Sequence, residues 1–163
     1  ILCVAATVSC NTKKKNVIDS NSDGTDVIVT VEENEKKMNR AIAEAVALYD
    51  DFLKVLKEPD STVSDFSVKL KYEYGDDGSV EHMWFNQLHF KENKLFGVLD
   101  NDPEFVNGLK AGDTVEVVKR GISDWMYLKN RKLVGGYTLR VLYDRMSKKE
   151  QAEFREQLVF DIE

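Results

Sequence analysis

The sequence predicts an α+β domain in which one long N-terminal helix packs on a curved antiparallel sheet of about five or six strands. Two hydrophobic periods support this fold: apolar residues recur every three or four positions over residues 35–57, and alternate with polar residues from residue 66 onward. A chain of 163 residues suits one domain with its own core. We assign this domain to residues 27–163, with a short helix near its C-terminal end.

The long helix is predicted over residues 35–57. Its apolar stripe consists of Met38, Ile42, Ala45, Val46, Tyr49, Phe52, Leu53 and Leu56. Thr30 or Asn34 can cap the first turn, and Pro59 stops the helix because proline cannot continue it. The β-branched run VIVTV at residues 27–31 predicts a short strand before the helix.

The sheet begins with a predicted hairpin. Residues 66–74 alternate between apolar and polar side chains, and the turn sequence GDDG at residues 75–78 leads into a return strand over residues 80–90. A shorter strand follows at residues 95–99, and residues 102–109 form a turn or short helix.

The C-terminal half is predicted to add three strands that form a meander. They cover residues 114–118, 122–128 and 133–143. Ser147 then caps a final helix with few apolar residues. The doublet Gly135-Gly136 is interpreted as a bulge or close strand crossing, since a phosphate cradle would need a following helix and a lysine.

Charge and cysteine content exclude several classes of function. Lysine and arginine total 23 against 29 acidic residues, and the basic residues are scattered except at Lys13, Lys14 and Lys15, so we expect no nucleic-acid partner. Cys3 and Cys10 lie in the first ten residues, which excludes a disulfide framework, a thiolate metal cage and redox chemistry in the body of the chain.

The N-terminal residues indicate a lipoprotein leader. Residues 1–10 are apolar or small, then NTKKKN is polar, a pattern typical of a signal-peptide remnant that ends at a cleavage site. TVSC resembles a lipobox in which Cys10 is lipidated, although Thr7 replaces the usual leucine; a hydrophobic N-terminal strand is the alternative. Residues 11–26 are rich in Asn, Ser, Asp, Gly and Lys and poor in apolar groups, which predicts a disordered tether. We therefore expect a lipid-anchored domain that faces the periplasm.

Three side chains are weak candidates for acid–base catalysis: Glu81, His82 and Asp124. Their residue types suit a hydrolase, but nothing in the spacing brings Ser123, Asp124 and His82 together as a triad. Asp124 can instead accept hydrogen bonds in its own turn, from Arg140 or a backbone N–H. His82 and His89 lie seven positions apart on one strand, which predicts opposite faces, and we expect no metal site and no cofactor.

Aromatic residues offer a second kind of candidate site. Trp84, Trp125, Tyr127 and Tyr137, together with Arg140, come from strands expected to be neighbours. If these side chains share an exposed face, they form a surface that binds sugars, peptides or a partner protein. The alternative is that the aromatic rings are buried in the core.

Several segments in a fixed order now indicate a family. The segments ALYDDF, FSVKLKY, EHMWF, LFGVLDNDP, LKAGDTVEV, ISDWMY and GGYTLRVL closely resemble the YegJ-like family, domain of unknown function 2314, over residues 27–143. The resemblance implies a small bacterial protein of the envelope or cytoplasm, with no established activity. AGDTVEVV, ISDWMYL and GGYTLRVL are also similar to the meander of bacterial SH3-like barrels.

The sequence thus favours a non-enzymatic binding or interaction module of the bacterial envelope, because no complete catalytic constellation is visible. The expected ligand is an envelope protein, a peptide or cell-wall material, and the acidic charge suits a basic partner. The alternative is a hydrolase that acts on envelope polymers through Glu81, His82 and Asp124.

Overall fold

The structure of the chain, a computed structural model, describes residues 31–158 and 160–162. The predicted signal-peptide remnant, Cys10, the tether at residues 11–26 and the predicted strand at residues 27–30 lie outside the described residues. Val31, the last residue of that strand, begins a helix. None of the described helices has the length and apolar character needed to span a bilayer.

Two helices occupy the region of the predicted long helix. Helix α1 covers Val31–Ala47 and helix α2 covers Tyr49–Lys57, so the helical stretch is divided at Leu48. Backbone hydrogen bonds continue across the division, from Leu48 N–H to Glu44 and from Phe52 N–H to Leu48. The predicted apolar stripe is buried at Ala45, Tyr49 and Phe52, and Ala41, which the prediction did not include, is buried as well.

Six antiparallel strands confirm the predicted α+β class. The sheet has the order β4-β3-β2-β1-β5-β6. Its strands are β1 (Val63–Tyr74), β2 (Ser79–Lys91), β3 (Lys94–Leu99), β4 (Thr114–Glu116), β5 (Ile122–Lys129) and β6 (Lys132–Gly135).

The predicted C-terminal meander is wrong for its first strand, although β5 and β6 pair as predicted. Strand β4 pairs with β3, whereas β5 pairs with β1 and β6, so β4 and β5 lie on opposite sides of the β1–β2 hairpin. Residues 102–109, predicted as a turn or short helix, contain turns but no helix.

The predicted strand over residues 133–143 is also wrong, because β6 ends at Gly135 and helix α3 covers Tyr137–Asp144. Gly135 and Gly136 both adopt left-handed backbone angles, with φ of 76° and 64°, and this turns the chain out of the sheet. Leu139 and Tyr143 then lie one helical turn apart and are buried. Helix α4 follows at Lys148–Gln157, and Ser147 caps it as predicted.

The two faces of the sheet have different environments. Strand register places Val68 and Phe85 on one side, called the first face, and Lys69 and Trp84 on the other, called the second face. The main core joins the first face to α1 and α2, and includes Phe52, Val68, Phe85 and Trp125. A second apolar cluster joins the end of β5 and β6 to the C-terminal helices through Leu128, Leu133, Leu139, Tyr143 and Ile162.

Three β-bulges change which side chains share a face: one in β1 between Ser64 and Ser67, one in β5 and one in β2. Leu70 is opposite Ile122 while Lys69 is opposite Asp124, so Ser123 is an extra residue in β5. Strand β2 likewise has one extra residue between Asn86 and His89, where Gln87 has a φ of 48°.

The outer edge of β6 is closed by the chain itself. The Arg140 side chain donates from Nε to the Gly135 carbonyl (3.0 Å) and from Nη2 to the Leu133 carbonyl (2.8 Å). The backbone of Asp161 pairs with Arg131 and Leu133 beside it. These contacts satisfy groups that an edge strand otherwise presents to other chains.

Candidate functional site

Polar side chains from four elements meet on the second face of the sheet. Their common feature is burial inside the fold: Lys69 is 8% exposed, Ser123 and Asp124 are 0% exposed, and Thr138 is 2% exposed. His82 and Trp84 are half-buried beside them. We call this set the polar network: Lys69 on β1, His82 and Trp84 on β2, Ser123 and Asp124 on β5, and Thr138 on α3.

Asp124 is the centre of the polar network. Its carboxylate accepts hydrogen bonds from the N–H groups of Trp125 (2.8 Å), Tyr137 (3.0 Å) and Thr138 (2.8 Å), and from the Thr138 hydroxyl (2.6 Å). The glycine turn before α3 brings the N–H groups of Tyr137 and Thr138 to β5. A helix does follow Gly135-Gly136, contrary to the prediction, but its N-terminal N–H groups already bind this carboxylate.

Electrostatic effects on Asp124 oppose each other. Burial raises the pKa of this carboxyl, whereas the hydrogen bond from Thr138 and the charge of Lys69 act to lower it, and the net shift is upward. The Lys69 ammonium lies 3.3 Å from the Thr138 hydroxyl oxygen and 5.2 Å from the centre of the Trp84 ring. The cation is therefore held between a hydroxyl and an aromatic face.

His82 and Ser123 form a contact that the sequence did not reveal. The Nδ1 atom of His82 lies 2.8 Å from the Ser123 hydroxyl oxygen, and that hydroxyl donates to the Lys69 carbonyl across 3.2 Å. Burial lowers the pKa of His82 to about 4, and the charges of Lys69 and Lys71 add to the effect. The residues are 41 positions apart, and a bulge turns Ser123 toward the histidine, so sequence spacing carries no signal for this pair.

This pair is not arranged as a catalytic dyad. A serine nucleophile needs access to substrate and a histidine that accepts its proton. Ser123 is fully buried and donates to a main-chain carbonyl, and a histidine with a pKa of about 4 is a weak base. The Asp124 carboxylate accepts hydrogen bonds from Thr138 in α3, and it does not orient the His82 ring.

Glu81 lies on the opposite side of the sheet from His82. Register pairs Glu81 with Tyr72, and its carboxylate accepts the N–H groups of Glu104 (2.6 Å), Phe105 (3.0 Å) and Val106 (2.9 Å). The three candidates for a hydrolase site are therefore not brought together.

The predicted aromatic surface is not formed as one exposed face. Trp125 and Tyr127 face α1 and α2, and they are 4% and 8% exposed. The Trp125 indole N–H donates to the Ala45 carbonyl (2.8 Å), and Tyr137 packs edge-on against the Trp125 ring. Trp84 alone among the predicted aromatic residues projects from the second face.

The histidines share one face, contrary to the prediction, because the bulge at Gln87 reverses the alternation of β2. His82 is opposite Lys71, and His89 is opposite Phe96. Seven positions along a strand still separate them by roughly 20 Å. In the part of the chain that the structure describes, no group of three or more His, Cys, Asp or Glu residues could hold a metal ion.

A row of half-buried apolar side chains lies on the second face beside the polar network. It consists of Trp84, Phe96 and Val98, none of which belongs to either apolar core. His89 stacks on Phe96 with 5.9 Å between ring centres, and a Lys94–Glu116 ion pair of 2.8 Å borders the row. We call Trp84, Phe96 and Val98 the β2–β3 stripe; sequence reasoning missed Phe96 and Val98.

Comparison with known proteins identifies relatives of the chain, but their descriptions name no activity. Residues 35–162 match the family described as "Uncharacterized protein conserved in bacteria (DUF2314)". The chain is 33% identical to "Uncharacterized protein YegJ" of Escherichia coli strain K12, over 85% of this chain and 88% of that protein. It is 32% identical to a putative ankyrin repeat protein of Neisseria meningitidis serogroup B, over 80% of this chain and 54% of that protein. No solved structure matches.

Proposed function

The chain belongs to the DUF2314 family of uncharacterized proteins conserved in bacteria, and from this premise we propose that it is a non-enzymatic protein-interaction module of the bacterial cell envelope. One observation carries the non-enzymatic part of this proposal. Glu81, His82 and Asp124, the side chains best suited to acid–base chemistry, each hold together parts of the fold. Each of these side chains therefore has a structural contact that accounts for its position.

The β2–β3 stripe supplies the binding surface in this proposal. Trp84, Phe96 and Val98 form an apolar row outside both cores, and polar groups border it at Lys94 and Glu116. Apolar surface with a polar border is typical of protein contact sites, in which an aromatic anchor contributes much of the affinity.

A protein is the partner that the relatives favour. The matching region accounts for 54% of the meningococcal protein, which is named as a putative ankyrin repeat protein. A related domain therefore stands beside a further region in the same polypeptide, as interaction modules commonly do. Peptide and cell-wall ligands, which the sequence also allowed, become alternative outcomes of the binding test.

The envelope location rests on the N-terminal residues. Residues 1–10 are apolar or small and end in Cys10, and the residues directly after it, NTKKKN, are polar. In cells that express the full precursor, labelled palmitate should enter the protein, and Cys10→Ala should abolish the label. A Cys10→Ala protein that still takes up palmitate would disprove this anchor.

Two matched substitutions test the binding surface. Val98→Lys places a charge in the β2–β3 stripe, and Val118→Lys places the same charge at an exposed position, 43% accessible, outside it. Crosslinking in envelope extract identifies the partner, and its affinity for each purified variant is then measured by titration. Because a buried charge weakens an apolar interface, we expect Val98→Lys to reduce affinity about tenfold or more, equivalent to ~1.4 kcal/mol.

The outcomes separate the proposals. Circular dichroism first establishes that both variants fold as the wild type does. Equal partner affinity for the wild type and Val98→Lys would disprove the role of the stripe. Binding to isolated cell-wall fragments, with no protein captured, would replace the protein partner with a wall ligand.

A further inference from the structure

The loop between β3 and β4 is held to the sheet at several points. The Glu81 carboxylate binds three consecutive N–H groups at residues 104–106, and Phe105 stacks on Tyr74 with 4.9 Å between ring centres. Asp102 accepts the N–H of Ala111 (2.8 Å), and Asp113 accepts the N–H of Lys110 (2.9 Å). Residues 107–109 lie between these anchors.

Asn107 and Gly108 form the unanchored tip of the loop. Both are exposed, and neither the Asn107 side chain nor the Gly108 N–H makes a hydrogen bond with the described residues. A Cβ atom placed on Gly108 would meet nothing within 4 Å, so residues distant in sequence do not crowd the Gly108 Cα. This is also the only Asn-Gly pair in the sequence.

We infer that Asn107 is a site of spontaneous deamidation, which converts the tip of this loop from neutral to negatively charged. The Gly108 backbone nitrogen loses its proton to hydroxide and attacks Cγ of Asn107, forming a C–N bond. Ammonia leaves, and a five-membered succinimide results. Water then opens the ring at either carbonyl, giving aspartate or isoaspartate, with no change of oxidation state. Glycine permits this attack because it has no side chain to hinder the nitrogen.

The position of Asn107 gives the modification a structural consequence. The preceding residue, Val106, donates its N–H to Glu81 across 2.9 Å. A new carboxylate beside Val106 repels the Glu81 carboxylate, and isoaspartate also adds a methylene group to the main chain. Both products weaken the hold of Glu81 on residues 104–106, so the loop loosens as the protein ages.

Peptide mapping tests the chemical step on the purified full chain. After incubation at mildly alkaline pH, trypsin releases residues 95–110, a peptide that contains both Asn101 and Asn107. We expect the mass gain for replacing NH2 with OH at Asn107, and labelling of that peptide by an isoaspartate methyltransferase. Asn101 is the internal control, because Asp102 follows it and hinders attack. Equal or slower reaction at Asn107 would overturn the inference.

Hydrogen exchange tests the structural step. In Asn107→Asp, the N–H groups of residues 104–106 should exchange several-fold faster than in wild type, while β5 keeps its protection. Asn107→Gln should neither deamidate on this timescale nor loosen the loop. Unchanged protection at residues 104–106 in Asn107→Asp would refute the proposed effect on the Glu81 contact.

Discussion

The Thr138 hydroxyl donates to the Asp124 carboxylate across 2.6 Å, and this contact joins the bulge of β5 to the first turn of α3. The Thr138 N–H donates to the same carboxylate across 2.8 Å. Asp124 thus stabilises a strand-to-helix junction that has no other side-chain cap at Gly136.

We expect Asp124→Ala to lower the free energy of unfolding by about 3 kcal/mol or more, because it leaves buried donors unpaired beside Lys69. Ser147→Ala, which removes the exposed cap of α4, should cost only about 1 kcal/mol. Urea denaturation of both variants gives the comparison. Similar losses in the two variants would contradict the central role of the buried carboxylate.

His82 should make the protein less stable in acid. Its pKa is about 4 in the folded state against 6.5 for an ordinary histidine, so the unfolded chain binds the proton more readily between these values. The contribution of His82 to stability is therefore complete above pH 6.5 and is lost as pH falls toward 4. Denaturation at a series of pH values should show a slope from His82 of up to about 1.4 kcal/mol per pH unit.

Matched variants isolate this slope from the titration of carboxylates. His82→Gln should remove it across the pH window, whereas His89→Gln, at an exposed position, should retain it. A proton NMR titration of the two rings gives a direct reading. A midpoint near 6.5 for His82 would exclude the expected burial effect.

Glu81 should control the order of the loop between β3 and β4. Glu81→Ala removes the acceptor of three N–H groups, and we expect a loss of about 1–2 kcal/mol together with faster exchange at residues 104–106. Glu81→Gln keeps one acceptor oxygen and should have a smaller effect. Glu73→Ala, on the neighbouring strand, serves as the control; equal exchange in all three variants would argue against the contact.

The two glycines before α3 should differ in their tolerance of alanine. A Cβ atom on Gly135 would lie 2.3 Å from the Trp125 carbonyl oxygen, which is main chain and cannot move aside. A Cβ atom on Gly136 would lie 2.9 Å from a methyl group of Leu133, which can rotate. Gly136→Ala should cost about 1–2 kcal/mol for its left-handed backbone, and Gly135→Ala clearly more. Thermal denaturation should rank them in this order.

Local patterns predicted most of the elements and the two pairings between strands joined by short turns, β1 with β2 and β5 with β6, but not the remaining partners. The apolar stripe of residues 38–56 and the alternation of residues 66–74 each identify an element from neighbouring residues alone. The apolar residues from Leu133 to Tyr143 fit both the two-residue period of a strand and the period of a helix. The helix is favoured because it buries Leu139 and Tyr143 together in the second apolar cluster. Strand order depends on contacts distant in sequence, and it separates β4 from β5.

The site was harder to predict than the fold. The residue types of Ser123, Asp124 and His82 are visible in the sequence, but the bulge that turns Ser123 toward His82 has no local signature. The sequence around Trp125 and Tyr127 does not distinguish side chains that face solvent from side chains that pack against α1 and α2. Asp124 was predictable as an acceptor of backbone N–H groups. Only Trp125 is near it in sequence, however, and its donors at Tyr137 and Thr138 lie 13 and 14 positions away.

Arg140 makes the two edges of the sheet different, because it occupies hydrogen-bonding groups at the β6 edge only. A stack of molecules joined strand to strand needs two free edges on every copy, one to accept a neighbour and one to be accepted. In this protein the guanidinium of Arg140 and the backbone of Asp161 occupy the β6 edge. Any association through the remaining edge at β4 therefore ends with a pair of molecules, and fibre growth is blocked within the native fold.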